Sequence, residues 1–301
     1  MLRYSLLLHR SIHRYLTPTI TPDGVCILFT MCLIAWNWQP ESATPLLLLS
    51  NRDEFYARPA LALHWWGSQD GAQTVLAGQD LQAGGTWLGV SRSGRLAALT
   101  NFRSVAPVCL TSPSRGELVT QFLQGKTLAE DYLNALANHA KDYNPFNLLV
   151  FDGERLMGLE SRQSRIVDFS PGVGGVSNAD FDSPWPKLVR LKHGLRTHRM
   201  QARTTCASWM ELLQDPTLPP DELLPRTGVA IELERALSPI FIATAGYGTR
   251  ACSVVQMHRD RIEFAEQSVN SHGLQTTRLP FTPTSGTTPA QSAAITAPRP
   301  T

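Results

Sequence analysis

Cys32 directly follows Met31 and opens a largely apolar run over residues 31–38. A second run, residues 45–50, ends in Asn51-Arg52-Asp53-Glu54. The polar cluster at residues 39–44 reads as a turn, so the two runs form a candidate β-hairpin. Folded about Ser42, that hairpin brings Cys32 beside residues 50–53. A thiol then stands next to an arginine and two carboxylates at one open end of a sheet. An initiator methionine is usually trimmed when a small residue follows it. A cysteine with a free α-amino group carries its own base, since that amine has a reference pKa of roughly 7.7–8.0. Nucleophiles served by an N-terminal amine are an established route to covalent catalysis.

Further polar residues fall where strands end or turn: Asn101, Asn178 and Arg250. Arg52 and Arg250 are suited to stabilising a thiolate. Asp53 is suited to orienting an α-amino group through a charge-assisted hydrogen bond. Asn101 and Asn178 offer amide donors to an oxyanion, a contact whose removal costs about 10²–10³ in rate. Each has a plainer reading as well. Cys32 can be a buried strand thiol, Arg52 and Asp53 an ion pair, Asn101 and Asn178 turn caps, and Arg250 a turn residue. His64, beside Trp65 and Trp66, is a lone histidine with no clear partner for ligating haem iron.

The elements that must position these groups can be traced along the chain. Residues 75–80 lead into a turn or close backbone approach at Gly84-Gly85, residues 87–91 and 95–101 read as strands, and residues 67–71 as a loop. Ser114 and Glu117 have capping-box spacing ahead of a helix. Residues 127–139 place Leu128, Tyr132, Leu133 and Leu136 on one helical face. Asp152-Gly153 signals a hairpin between strands at 146–151 and 156–160. A strand at 165–169 and a glycine-rich turn at 171–175 lead to a helix from Trp185-Pro186 to about His193. A helix at 206–213, a proline-rich connection at 216–225, and strands at 240–245, 251–258 and 261–267 complete the fold. Gly246 to Arg250 reads as the turn between the first two of those strands. Antiparallel strands with segregated helices indicate α+β packing, with two antiparallel sheets stacked between two helical layers.

The chain has 301 residues, a net charge of +2 and no basic run that would favour nucleic acid. Its five cysteines are scattered without a Cys-x-x-Cys pair, so no zinc site, no disulfide framework and no haem-attachment motif is indicated. A reducing compartment follows, and a cytoplasmic location is expected. No apolar stretch approaches the roughly 20 residues a membrane helix needs, so no stable membrane insertion is expected; the run at 25–36 reads as a buried strand. Residues 1–31 read first as translation begun upstream of a true initiator at Met31. They also fit a basic, acid-poor presequence for organellar import, or a propeptide cut before Cys32. The folded domain is expected over 32–270, with a disordered Thr-, Pro-, Ser- and Ala-rich tail at 279–301.

Several motifs occur in order: Met31-Cys32, Asn51-Arg52-Asp53-Glu54, Ala83-Gly84-Gly85-Thr86-Trp87-Leu88-Gly89, Leu99-Thr100-Asn101-Phe102-Arg103, Ser177-Asn178, Trp185-Pro186-Lys187 and Tyr247-Gly248-Thr249-Arg250. This combination resembles the NRDE family, the transport and Golgi organisation protein 2-like proteins, over residues 31 to about 267. The NRDE pattern is in turn similar to N-terminal-nucleophile hydrolases of the choloylglycine hydrolase and penicillin V acylase type. That resemblance implies a four-layer αββα fold. It matches Cys32 to the nucleophile, Arg52 to its neighbouring arginine, Asn101 and Asn178 to the oxyanion- and amine-binding asparagines, and Arg250 to the late arginine. It implies hydrolysis of a non-peptide amide with no metal or organic cofactor. One departure concerns the aspartate. Those hydrolases separate arginine and aspartate by two residues, whereas Arg52 and Asp53 are adjacent, so Glu54 is a rival for the role. By the same resemblance the family is associated with haem mobilisation and with lipid or acyl-CoA homeostasis. The alternative is therefore a carrier of haem or an acyl-lipid that uses the same pocket without turnover.

Overall fold

The computed structural model describes residues 19–20, 26–27, 31–67, 73–103, 108–199, 205–270 and 273–284. Most of the presequence-like segment, part of the loop expected at 67–71, and the tail beyond 284 lie outside the described residues. Thr19–Ile20 pairs with Cys26–Ile27 in a short antiparallel ribbon. The continuous strand expected over 25–36 is described only from Met31 onward, beyond that pair.

Thirteen further strands and five α-helices follow among the described residues. The strands are β1 (Met31–Trp38), β2 (Leu46–Phe55), β3 (Ala60–Gly67), β4 (Gln73–Asp80), β5 (Leu88–Ser91), β6 (Leu96–Asn101), β7 (Phe146–Phe151), β8 (Leu156–Glu160), β9 (Arg165–Asp168), β10 (Gly172–Val176), β11 (Tyr247–Met257), β12 (Ile262–Asn270) and β13 (Gly273–Phe281). The helices are α1 (Gly116–Gln124), α2 (Ala129–Ala137), α3 (Pro186–Arg199), α4 (Cys206–Leu213) and α5 (Ile231–Ala236). One seven-stranded antiparallel sheet runs β9-β8-β7-β6-β5-β4-β3, and a six-stranded one runs β10-β1-β2-β11-β12-β13.

Alternation along the strands explains the layers, because successive side chains point to opposite faces. In β1 and β2, Ile34, Trp36, Leu46 and Leu48 enter the core between the sheets. Leu33, Ala35, Leu47 and Leu49 instead meet Leu188, Leu191, Leu195 and Trp209 from α3 and α4. The seven-stranded sheet repeats the pattern, with Val75, Ala97, Leu148 and Val150 facing Leu118, Phe122 and Leu133 of α1 and α2. The result is the expected αββα sandwich.

Several local expectations are corrected. The glycine-rich segment at 171–175 is not a turn: Gly172–Val176 forms β10 and pairs with β1. A side chain on Gly174 would overlap the Trp36 indole, and one on Gly175 would meet Leu188, so these glycines let an edge strand pass between large groups. Residues 240–245 form no strand and keep one isolated bridge, Ala243 to Gly248. Residues 247–250 are strand rather than turn, with a bulge between Thr249 and Ala251 in the β11–β2 pairing. The capping box is absent: α1 begins at Gly116, and the Glu117 carboxylate accepts from the Tyr143 hydroxyl at 2.6 Å. Leu128 precedes α2 and is exposed, leaving Ala129 as the buried first residue. Helix α3 extends to Arg199, six residues past His193. Strand β13 was not anticipated, and its residues 279–281 belonged to the expected tail; Phe281 is buried in the core between the sheets.

Candidate functional site

Pairing of β1 with β2 places Cys32 directly opposite Arg52 and Met31 opposite Asp53. Cys32 follows the parity of Ile34 and Trp36, so its thiol faces the space between the sheets, where it is 7 % exposed. It lies on the wall of a cavity of about 300 Å³ at the open end of the sandwich. Arg52, Glu54, Asp80, Trp87, Asn101 and Arg115 share that lining. Burial foremost, then the Asp53 charge, pushes the Cys32 thiol up to about 12, against the lowering effects of Arg52 and of the Asp53 backbone N–H.

Arg52 holds a carboxylate, but not that of Asp53. Its Nη2 donates to Asp80 Oδ2 at 3.0 Å and lies 3.8 Å from Glu54 Oε2. Its guanidinium stacks over Trp87 at 4.2 Å. Arg58 Nε donates to the same Asp80 oxygen at 2.6 Å. Burial raises Asp80, but the hydrogen bond and charge of Arg58 outweigh it and hold the carboxyl below its usual range. Glu54 is pushed up by burial and held back by Arg52.

Because β2 runs unbroken through Phe55, Asp53 and Glu54 point to opposite faces. Glu54 shares the face of Arg52 and Cys32. The Asp53 carboxylate turns toward the α3 layer, where Thr249 Oγ1 donates to Oδ1 at 2.6 Å and Lys187 Nζ lies 3.9 Å from Oδ2. Neither Lys187 Nζ nor Asp53 Oδ2 has a hydrogen-bond partner among the described residues. Burial raises Asp53 to about 6 and lowers Lys187 to about 8, each partner's charge opposing the shift.

The asparagines meet each other: Asn178 Nδ2 donates to the Asn101 carbonyl at 2.9 Å. That bond ties the end of β6 to the β10–α3 connection. Asn101 lines the thiol cavity and Asn178 does not. Arg250 is also outside it. Its Nη1 donates to the Phe55, Tyr56 and Arg58 carbonyls at 2.9, 3.2 and 2.9 Å, clamping the turn after β2.

Sequence reasoning missed Asp80, Arg58, Arg115 and Lys187 as neighbours of the site. Asp80 ends β4, and its partners are remote in sequence. Arg115 is pushed down to about 10 by burial, with the Cys32 charge opposing. Exposed Cys109 lies on the same cavity wall, and hydrogen bonds from Ser112 and Thr111 bring its thiol down to about 7. The buried Arg103–Glu234 ion pair was also missed, because α5 carries too short an apolar pattern to be recognised. His64 sits in β3 with Nδ1 2.8 Å from the Ala62 carbonyl.

The geometry defines a layered αββα protein of two stacked antiparallel sheets, with a cysteine opening an inner strand at the cavity-bearing end. The chain belongs to the Transport and Golgi organisation 2 family, whose model matches residues 31–271. It is 33% identical over 265 residues to the Transport and Golgi organization protein 2 homolog of Bos taurus, covering 79% of this chain and 93% of that protein. The Homo sapiens homolog is 30% identical over 261 residues, with the same coverage of 79% and 93%. Among solved structures, a conjugated bile acid hydrolase mutant from Clostridium perfringens aligns with a TM-score of 0.46 and 8% identity, over 86% of this chain and 99% of that one. No helix among the described residues is long and apolar enough to cross a membrane.

Proposed function

We propose that the chain is a cysteine amidohydrolase of the N-terminal-nucleophile kind, acting on a small non-peptide amide once Cys32 carries a free α-amino group. The observation that carries this reading is the Cys32 thiol in the wall of a 300 Å³ cavity, opposite Arg52. That volume lies at the small end of the roughly 300–1,000 Å³ range of ligand pockets. With Met31 attached, a thiol raised to about 12 is protonated at neutral pH and a poor nucleophile. An α-amine on the same residue supplies the missing base. It takes the thiol proton as Sγ bonds to the amide carbonyl carbon. The resulting ammonium returns a proton to the departing amine nitrogen as the C–N bond breaks, leaving a thioester. Water then cleaves the thioester, releasing the acid and restoring the thiol. Asp53, with an unpartnered oxygen in the residue opposite Met31, is the acceptor proposed for the new ammonium. Asn101 is the side chain proposed to meet the oxyanion.

A carrier of haem or an acyl-lipid in the same cavity is the second reading. What favours it is the engagement of Asn178 with the Asn101 carbonyl and of Arg250 with loop carbonyls, which turns two expected catalytic donors away from the thiol.

The test compares the full chain with one beginning at Cys32, both carrying Cys109→Ser to remove the reactive rim thiol. Intact mass is measured after an acylating probe across pH 6–9, with Cys32→Ala as control. Acylation of Cys32 only in the shortened chain, with a midpoint near the α-amine value of about 8, is expected. Equal labelling of both chains, or of neither, would defeat the mechanism. Haem or acyl-lipid binding by both chains without acid release would then support the carrier.

A further inference from the structure

A second and larger cavity, of about 640 Å³, lies on the far side of the Asn101–Asn178 hydrogen bond. It shares no lining residue with the thiol cavity. Asn101 faces one space, and the next two residues, Phe102 and Arg103, face the other. The remaining walls come from the turn after β8, the β10–α3 connection and residues 223–227.

The chemistry of the two cavities differs. Around the thiol, Arg52 and Arg58 are matched by Glu54 and Asp80. The second lining contains three arginines and no aspartate or glutamate. Glu234 answers the buried Arg103, whose guanidinium also stacks over Trp185 at 4.4 Å. Arg162 lies over the Phe102 ring at 4.4 Å, and Arg226 stands on another wall. No carboxylate among the described residues pairs with either of these two. Apolar surface completes the space: Trp185, three prolines and Leu223, which is 60 % exposed.

We propose that this second cavity binds a small amphiphilic organic anion, with its carboxylate or phosphate on Arg162 and Arg226 and its apolar body against Trp185 and Leu223. Guanidinium groups bind both oxyanions through paired N–H donors, and the stacking on Phe102 presets the plane of Arg162. The volume falls within the range of small-molecule sites. This assignment is independent of amide hydrolysis at Cys32.

The experiment is calorimetric titration of the full chain with 1-naphthyl phosphate, 1-naphthoate and uncharged 1-naphthol. At least one anion is expected to bind at least tenfold more tightly than naphthol, with affinity falling as salt rises. The stronger anion identifies the headgroup. Arg162→Gln with Arg226→Gln, both at exposed positions, is expected to abolish that preference while leaving naphthol binding and thermal stability unchanged. Protein with the thiol cavity blocked by alkylation is expected to bind the anion normally. Naphthol binding as tightly as the anions, an unchanged preference in the double variant, or loss of binding on alkylation would each overturn the assignment.

Discussion

Asp53 and Lys187 show what burial does to a charged pair when no hydrogen bond completes it. Their closest approach is 3.9 Å, and each is pushed toward its neutral form. The consequence is a stability trough. Asp53 rises from 3.8 to about 6, so the folded chain keeps a proton that the unfolded chain has released. Its contribution is complete below about pH 4 and is lost as pH climbs through 6. Lys187 falls from 10.5 to about 8, so the unfolded chain binds the extra proton. That contribution is complete above about pH 10.5 and is lost as pH drops through 8. Both losses overlap between about pH 6 and 8. Thermal unfolding from pH 4 to 10 is therefore expected to dip there, and Asp53→Asn with Lys187→Met is expected to flatten the dip. A dip that survives in the double variant would locate its source elsewhere.

At the scale of elements, β10 shows how a strand can look like a loop. Its three glycines lower strand propensity, yet it pairs with β1 from Val176 to Gly172. What matters is the space it leaves for Trp36 and Leu188. Gly174→Val is expected to destabilise the protein by about 1–3 kcal/mol in urea unfolding, the usual cost of overpacking. Unchanged stability would mean that Trp36 swings aside freely. The β1–β2 hairpin is the opposite case. A local polar turn specifies its register, and Cys32 meets Arg52 as that register requires.

For the molecule as a whole, β13 joins the two sheets at one side. It pairs along β12, while Phe281 meets Trp65 of β3 at 4.9 Å. Arg92 covers the same indole at 3.8 Å. A chain ending at residue 272 is expected to lose roughly 6–12 °C in Tm, because Phe281 and Leu279 together contribute about 3 kcal/mol of apolar burial. A calorimetric Tm equal to that of the full chain would show that the domain is complete without β13.

The four-layer architecture was legible because period-two and helical patterns depend on neighbours in sequence. Residues 146–151, 156–160 and 206–213 matched their elements to the residue for the same reason. The meeting of Cys32 and Arg52 was legible too, since one local turn carries the whole geometry. The partners of each charge were decided only by tertiary structure. Whether Arg52 pairs with Asp53, Glu54 or Asp80 depends on which face an unbroken strand presents and on which sheet packs across it. Whether Asn178 reaches the thiol cavity or the Asn101 carbonyl depends on the approach of β10 to β6. Those are long-range contacts, and their energies come from desolvation and packing that a run of neighbouring residues does not encode.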